Sequence, residues 1–293
     1  MNLKHFEKTP CQQGATLRDP VSKQLMHSMI GPELEAELIY LGPSRVRERL
    51  TEAHTAPLVV WDVGMGIAGN SVPLWKSALS GICKRSLEIH SFEKHPEALT
   101  QALENIKDFE YLLGLESSAQ ALLQNGETQI TDSGGLKHRW VLHTGDFQEF
   151  LASPGARELA PPDLIYWDFY SPKTCPELWS LEIFSELRKL APGCLLLTYS
   201  AATPVRVGLL LAGFLVGRPS PLAQATPMKS EATRAAAMPS LHSEIGLPLD
   251  HTWLEKLARS SHFRPYGNSK WATEASYQEI FMALSQLEQF RTT

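Results

Sequence analysis

Cysteine is scarce in this chain of 293 residues, which has only Cys11, Cys83, Cys175 and Cys194. No two of them form a C-x-x-C pair, and their scatter argues against a disulfide framework and against a zinc site. Two histidines at the H-x-x-x-H spacing of metal sites are also missing. We therefore expect a protein without a bound metal.

Long hydrophobic runs and an excess of positive charge are lacking as well. The longest apolar stretch, residues 205–216, is broken by Arg206, Gly208 and Gly213, and it is shorter than the roughly 20 residues that span a bilayer. The first residues have no apolar core, so we expect no signal peptide, no membrane partner and a cytoplasmic location. With 27 Lys and Arg against 32 Asp and Glu, the net charge is −5. A strongly basic nucleic-acid binder is disfavoured, whereas a local basic patch remains compatible with the composition.

Strand-like and helical segments alternate along the middle of the chain. The predicted strands are residues 57–63, 86–92, 139–143, 163–167 and 194–199. The predicted helices are residues 96–113, 177–190, 204–211, 251–262 and 274–290, with a further helical stretch over 32–50 and a long loop over 218–250. This alternation predicts an α/β fold with an open, mostly parallel, Rossmann-like sheet. We divide the chain into an N-terminal segment, residues 1–55, and a main domain, residues 56–293, with a C-terminal extension from about residue 219.

A glycine-rich turn follows the first of these strands. Gly64, Gly66 and Gly69 have the G-x-G-x-x-G spacing of dinucleotide folds, where glycines let the backbone turn sharply and approach a ligand. A tight strand-to-helix turn without a ligand would have the same spacing. The segment has no G-K-[ST] phosphate loop, which disfavours ATP hydrolysis.

Two acidic residues end the next two strands. Glu93 ends the second strand, where a carboxylate can bind both ribose hydroxyls. Asp146, after Gly145, ends the third strand and can accept a hydrogen bond from an adenine amino group. Alone, Glu93 fits a solvated loop and Asp146 fits a helix N-cap. Together with the glycines, they indicate an adenosine-containing ligand at the carboxyl edge of the sheet.

The fourth strand ends at Asp168, in the sequence Asp-Phe-Tyr-Ser-Pro. It resembles the D/N-P-P-F/Y loops that amine methyltransferases place beside the transferred methyl group. A carboxylate here can orient a substrate amine and accept its proton, directly or through water. The competing interpretation is a helix cap or a loop turn. His27, considered alone, fits a packed or capping histidine better than a catalytic one.

The motifs together resemble the methyltransferase part of the MnmC family, which acts in tRNA 5-methylaminomethyl-2-thiouridine biosynthesis. The resemblance runs through most of the chain, and the D-x-x-x-P with its downstream P-E-L-W is more specific than the glycine loop. The matching segments are M-H-S-x-I-G-P at 26–32 with E-A at 35–36 and Y at 40, the glycine loop at 62–70, S-F-E-K at 91–94, G-D at 145–146, D-F-Y-S-P at 168–172, P-E-L-W at 176–179, T-Y-S-A at 198–201, A-G-F at 212–214 and K-S-E at 229–231.

This resemblance implies a class I S-adenosyl-L-methionine-dependent methyltransferase fold. The implied reaction is N-methylation of the 5-aminomethyl group of the wobble uridine in tRNA, with Asp168 as the catalytic residue. The implied cofactor-binding residues are Asp62, Gly64, Met65, Gly66, Glu93, Lys94, Gly145, Asp146 and Asp168. The implied substrate-binding residues are His27, Phe169, Tyr170, Pro172 and Tyr199.

The resemblance also implies partners. The tRNA would be bound at its anticodon region, through Arg45, Arg47 and Arg49 or through Arg259, Arg264 and Lys270. The FAD-dependent oxidase half of the fused family members has no counterpart here, so a separate FAD-dependent or other enzyme would supply the aminomethyl uridine.

Several other functions remain open at this point. The acceptor of the methyl group could be a small amine or a protein side chain. The same fold also hosts aminopropyl transfer to polyamines, and it occurs as a binding scaffold that has lost catalysis. A dehydrogenase is disfavoured, because nothing after the fourth and fifth strands offers an acid or base for hydride transfer.

Overall fold

The computed structural model describes residues 5–219 and 232–291, and these form two compact units. The first unit holds residues 1–153 and 164–170, and the second holds residues 154–163 and 171–293. Within the described ranges, no helix has the length and apolar character needed to cross a membrane. The domain boundaries placed at residues 56 and about 219 from the sequence stay predictions.

Eleven strands occur in the described residues. They are β1 (Glu7–Pro10), β2 (Ala15–Arg18), β3 (Leu58–Val63), β4 (Leu87–Glu93), β5 (Glu127–Thr131), β6 (Lys137–Thr144), β7 (Leu164–Trp167), β8 (Leu195–Thr198), β9 (Leu215–Arg218), β10 (Thr233–Ala236) and β11 (Leu247–Pro248).

The same ranges contain fourteen α-helical segments, several of them a single turn. They are α1 (Pro32–Ala36), α2 (Gly42–Ser44), α3 (Val46–Thr51), α4 (Ser71–Leu79), α5 (Glu97–Glu104), α6 (Glu116–Asn125), α7 (Phe147–Ala152), α8 (Gly155–Glu158), α9 (Leu181–Leu190), α10 (Thr203–Leu211), α11 (His251–Leu257), α12 (Lys270–Thr273), α13 (Tyr277–Ser285) and α14 (Glu288–Arg291).

The sheet of the first unit has the strand order β7-β3-β4-β6-β5. The first four strands are parallel, and β5 pairs antiparallel with β6. All six residues of β3 are buried, as expected for a central strand covered on both faces. The strands predicted at 57–63, 86–92, 139–143 and 163–167 are confirmed, and so is the α/β, Rossmann-like class. Because parallel strands end on the same side, the carboxyl ends of β3, β4, β6 and β7 share one edge.

The second unit contains an antiparallel sheet of four strands, in the order β8-β10-β9-β11. It confirms the strand predicted at 194–199 and corrects the loop predicted over 218–250. Within that stretch the structure places β10, a 3₁₀ turn at Pro239–Glu244 and β11. The composition of the segment, rich in Pro, Ser and Ala, hid a short strand whose Ala235 and Ala236 are fully buried. Residues 220–231, which include the K-S-E motif, lie outside the described residues.

Five predicted helices are interrupted or shortened in the structure. The helix expected over 251–262 ends at Leu257, and the helix expected over 274–290 is divided into α13 and α14. The helix expected over 96–113 ends at Glu104, followed by two 3₁₀ turns that still bury Phe109 and Leu112. The helix expected from 177 begins at Leu181, because the Ser180 hydroxyl accepts a hydrogen bond from the backbone N–H of Ile183 as an N-cap. The helical stretch at 32–50 comprises α1, a π-helical turn at Glu37–Leu41, α2 and α3.

Candidate active site

The turn between β3 and α4 brings the backbone of the glycine loop against the end of β7. Gly64 has φ +88°, and a Cβ placed on it would lie 2.7 Å from the carbonyl oxygen of Asp168. Gly66 has φ +55°. Glycine is therefore required at Gly64 both by its conformation and by the close approach of a second backbone segment. The sequence-based interpretation of a sharp turn is confirmed by these angles.

Glu93, at the end of β4, holds this turn from the next strand. One carboxylate oxygen accepts the backbone N–H of Gly66 at 2.8 Å, and the other accepts the backbone N–H of His95 at 2.7 Å. Each oxygen has a second lone pair that stays available for a ligand hydroxyl. Glu93 is thus fixed against the loop at the carboxyl edge of the sheet.

Asp168 follows β7 and lies beside the same loop. Its Oδ2 accepts a hydrogen bond from the side-chain amide of Asn70 at 2.8 Å, and its backbone N–H donates to the carbonyl of Val63 at 2.9 Å. Burial and, as the second cause, the negative charge of Glu35 raise the pKa of Asp168 to about 7. The positive charge of His27 and hydrogen bonds from Asn70 and Tyr40 oppose this rise. The carboxyl is therefore poised to exchange a proton near neutral pH.

Asp62 lies at the carboxyl end of β3 and is fully buried. Its carboxylate accepts hydrogen bonds from the hydroxyls of Ser71 and Ser91 and a long one, 3.5 Å, from the Asn70 amide. Burial raises its pKa to about 6 against these hydrogen bonds. Through these hydrogen bonds, Asp62 links the glycine loop to α4 and β4.

His27, which is buried, and Glu35, which is partly buried, lie side by side in this unit. Nδ1 of His27 lies 3.5 Å from Oε2 of Glu35, and these side chains are 4% and 14% exposed. A Cβ on Gly69 would lie 2.5 Å from Cε1 of His27, so the glycine makes room for the ring. The Glu35 oxygen also accepts the backbone N–H of Ser28 at 2.7 Å. The structure therefore brings the M-H-S segment to the glycine loop.

Asp146 is the N-cap of α7. Its Oδ1 accepts the backbone N–H of Gln148 at 2.9 Å, and its Oδ2 lies 2.9 Å from Nζ of Lys94. The hydrogen bond from Lys94 is the main cause that lowers the pKa of Asp146 below its ordinary range. The N-cap interpretation is confirmed, and a contact with adenine stays a prediction.

The other predicted site residues divide between the two units. Met65 is buried, and its backbone N–H donates to the carbonyl of Phe92 at 3.2 Å. Phe169 packs edge-on against Trp167, with ring centroids 5.2 Å apart. Gly145, Phe169 and Tyr170 follow strand ends in the first unit. Pro172 and Tyr199 belong to the second unit, where Pro172 is buried and Tyr199 is partly exposed.

Three residues near Asp168 were missed as site residues from the sequence. Asn70 ends the glycine loop and bridges Asp62 and Asp168 through one amide. Glu35 and Tyr40 occur in the same N-terminal segment as His27, and both affect the pKa of Asp168. All three stand inside motifs already singled out, the glycine loop and the N-terminal segment. Membership of a motif did not show which of its side chains act on Asp168.

Three of the six residues in the predicted basic patches make hydrogen bonds within the protein. Arg47 makes two hydrogen bonds to Glu37, at 2.8 and 2.7 Å. Arg49 and Arg264 donate to backbone carbonyls through Nε.

In the described part of the chain, no group of three or more His, Cys, Asp and Glu side chains is arranged to hold a metal ion.

Comparison with known proteins shows what this chain is similar to. A family model described as S-adenosyl-L-methionine-dependent methyltransferase matches residues 118–237. The tRNA 5-methylaminomethyl-2-thiouridine biosynthesis bifunctional protein MnmC of Burkholderia vietnamiensis is 29% identical over 210 residues, covering 68% of this chain and 31% of that protein. The protein of the same name from Stutzerimonas stutzeri is 31% identical over 193 residues, covering 61% of this chain and 27% of that protein. The chain thus spans about a third of the length of these relatives.

Among solved structures, MNMC2 from Aquifex aeolicus superposes with a TM-score of 0.65 at 22% identity. The match covers 98% of this chain and 86% of that one. This likeness shows that the two chains share a fold.

The residues at the sheet edge fit the cofactor of this family. The two positive-φ glycines leave an open backbone turn, and Glu93 offers free lone pairs beside it. Carboxylates and backbone groups are the partners that ribose hydroxyls and an adenine amino group require. The chain therefore contains an MnmC-like methyltransferase domain that depends on S-adenosyl-L-methionine.

Proposed function

We propose that this domain methylates the aminomethyl nitrogen at C5 of the wobble uridine in tRNA. The observation that carries the proposal is the carboxyl of Asp168, held by Asn70 next to the glycine loop with a pKa of about 7. A carboxylate in that place suits an amine substrate. The names of the MnmC relatives support tRNA as the carrier of that amine.

The cofactor would be held by the loop and by the acidic strand ends. We assign the amino-acid and ribose portions of the cofactor to the backbone around Gly64, Met65 and Gly66. The hydroxyl groups of the ribose would bind the carboxylate of Glu93, which already fixes the loop through Gly66. Asp62 holds the loop through its hydrogen bond with the hydroxyl of Ser71. We assign the adenine end to a second group of residues, Gly145, Asp146 and Lys94.

Bound S-adenosyl-L-methionine supplies an electrophilic methyl group on a sulfonium. The residues of the chain must orient the amine and remove its proton, since alkylamines are mostly protonated at neutral pH. Asp168 can accept a hydrogen bond from the incoming ammonium group and then its proton, because the pKa of its carboxyl lies near neutral pH. Holding the amine in line with the methyl group contributes through orientation.

The substrate nucleotide would be bound by His27, Phe169, Tyr170, Pro172 and Tyr199, whose aromatic members can stack on an unpaired base. We propose the anticodon region as the bound part of the tRNA, because the wobble base lies in a single-stranded loop. The substrate needs an aminomethyl group already in place, so a separate FAD-dependent or other enzyme would supply it. We place the reaction in the cytoplasm, where tRNA is modified.

The test is a methyl-transfer assay with labelled cofactor and bulk tRNA from cells that lack this methylation step, followed by nucleoside mass spectrometry. Label in a 5-methylaminomethyl uridine supports the proposal. Parallel reactions offer small polyamines and cell protein as acceptors, and label found only there contradicts tRNA as the substrate. Cofactor binding without transfer to any acceptor would indicate a scaffold.

A further inference from the structure

A second carboxylate, Glu35, lies against His27 beside the glycine loop and has no role in the proposed reaction. Glu35 and His27 are mostly buried, with Oε2 and Nδ1 3.5 Å apart. Nε2 of His27 is buried and has no hydrogen-bond partner among the residues that the structure describes. Burying charged groups and an unpaired donor costs free energy, so simple packing does not explain this choice of residues.

Both side chains are held in place by their own contacts. The backbone N–H of His27 donates to the Thr16 hydroxyl at 3.2 Å, and the ring occupies the space left by Gly69. Glu35 accepts the backbone N–H of Ser28. Two short segments, 26–28 and α1, therefore hold the pair rigidly beside the loop that ends at Asn70.

The charges of the pair act on Asp168 in opposite directions. Glu35 disfavours ionisation of the Asp168 carboxyl and ranks above His27, which favours it. Burial lowers the pKa of His27, but the hydrogen bond and charge of Glu35, with the charges of Asp168 and Asp62, raise it above its ordinary value overall. The carboxylate of Glu35 thus favours the protonated form of His27 and disfavours the ionised form of Asp168.

We infer that Glu35 and His27 are positioning residues that together set the ionisation of Asp168, Glu35 favouring its protonated form and His27 its carboxylate. The inference concerns the site of the proposed function and rests on Asp168 being the group that meets the substrate amine. Neither residue of the pair needs to touch that amine.

The other groups around Asp168 leave this control to the pair. From β3, Asp62 is held by the hydroxyls of Ser71 and Ser91, and from the start of α4 Asn70 contributes a neutral amide. The π-helical turn contributes the neutral hydroxyl of Tyr40.

The remaining nearby charge is engaged elsewhere. Glu93, at the end of β4, binds the backbone N–H groups of Gly66 and His95. Among the groups that act on the pKa of Asp168, His27 supplies the positive charge and Glu35 the negative one.

Glu35→Gln and His27→Gln should therefore change the pKa of Asp168 in opposite directions. Removing the His27 charge leaves Glu35 unopposed, so the pKa of Asp168 rises. Replacing Glu35 with Gln removes the stronger repulsion and also weakens protonation of His27, so the net change is a fall. Each change should amount to about 1 pH unit, as for single charges near a buried carboxyl.

The experiment is a ¹³C NMR titration of the Asp side-chain carboxyls in the full chain with cofactor bound, using Asp168→Asn to assign the Asp168 signal. We expect its midpoint to move down in Glu35→Gln and up in His27→Gln. Glu33→Gln is the matched control, because Glu33 lies in the same helix with its side chain 52% exposed and paired with Lys76. It should leave the midpoint unchanged. His27→Asn serves as the second variant if His27→Gln fails to fold.

Midpoints that stay in place, or that move in the same direction in both variants, overturn the inference. The titration needs no methyl acceptor, so it stays informative if the wild-type protein fails to methylate tRNA, a result that would count against the proposed function alone. Single-turnover rates against pH give a second readout. The acid limb should move with the NMR midpoint in each variant, which a purely structural role of the pair does not produce.

Discussion

Asp168 combines two demands that conflict at the level of a single residue. A carboxyl that receives a proton from an amine must be ionised before the reaction, yet its surroundings favour the neutral form and raise its pKa to about 7. Such a group is easily protonated, which suits a proton acceptor working near neutral pH. The same property makes the residue a source of instability.

Asp168→Asn tests the catalytic assignment. Asparagine keeps an oxygen that can accept from Asn70 but cannot take a proton, so we expect cofactor affinity close to that of the wild type and turnover lower by on the order of 100-fold. Calorimetry and single-turnover kinetics measure the two quantities. Asp108→Asn, a change at an exposed residue paired with Lys8, should keep full turnover. Equal turnover in Asp168→Asn and the wild type would remove Asp168 from the mechanism.

The same variant tests the energetic penalty of the carboxylate. The folded-state pKa of Asp168, about 7, lies above the unfolded value of roughly 3.9. The unfolded state therefore loses its proton first, and the wild type loses stability as pH rises from about 4 through 7. We expect Asp168→Asn to be more stable than the wild type at pH 8 by about 1–3 kcal/mol, with little difference near pH 4. Urea denaturation at both pH values measures the difference in free energy of unfolding between the variant and the wild type. A difference that is the same at both pH values would contradict the assigned pKa.

At the scale of elements, the glycine loop matters because two backbone segments meet there. Gly64 has positive φ and almost touches the carbonyl of Asp168, whereas Gly114 has a similar φ of +80° with nothing within 4 Å of a Cβ. The two positions share backbone strain and differ in the close approach. They therefore form a matched pair for substitution.

Gly64→Ala should separate these effects. We expect both Gly64→Ala and Gly114→Ala to lose about 1 kcal/mol or more of stability from the positive φ. Only Gly64→Ala should also weaken cofactor binding, by at least about 10-fold, because its Cβ forces β3 and the Asp168 loop apart. Calorimetry of cofactor binding decides, and equal affinity in the two variants would show that the close approach has no role in the site.

The strand ends could be predicted because local signals coincide there. A buried run such as β3 followed by glycines has few alternatives, and Glu93, Asp146 and Asp168 stand where parallel strands end. Asn105 closes α5 early despite the apolar periodicity that continues beyond it, since 3₁₀ turns can bury the same side chains. Asn70, Glu35 and Tyr40 escaped prediction because their roles depend on contacts across 98 to 133 residues of sequence, which no local pattern encodes.

At the scale of the whole molecule, charge is the main constraint on the proposed substrate. The chain carries a net charge of −5, and Arg47 and Arg139 are paired with carboxylates. Lys and Arg, 27 in all, are outnumbered by the 32 Asp and Glu, so the chain as a whole does not attract phosphates. Recognition of the tRNA should therefore depend more on the extruded base than on the backbone.

Salt dependence measures this balance. We expect about three or four phosphate contacts, so the slope of log K against log salt concentration should lie between about −2 and −4. Fluorescence titration of a labelled tRNA over about 50 to 300 mM salt gives the slope. A slope steeper than about −6 would mean that binding is dominated by a basic surface, contrary to this account.

The most direct measurement uses two synthetic anticodon stem-loops that differ only at the wobble position, one with 5-aminomethyluridine and one with uridine. Labelled S-adenosyl-L-methionine and the wild-type chain are added to each, and the products are identified by nucleoside mass spectrometry. The account predicts one labelled methyl group on the aminomethyl nitrogen of the first stem-loop and none on the second, with the yield sharply reduced in Asp168→Asn. Label on both stem-loops, on another atom, or on neither while the cofactor binds normally would contradict it.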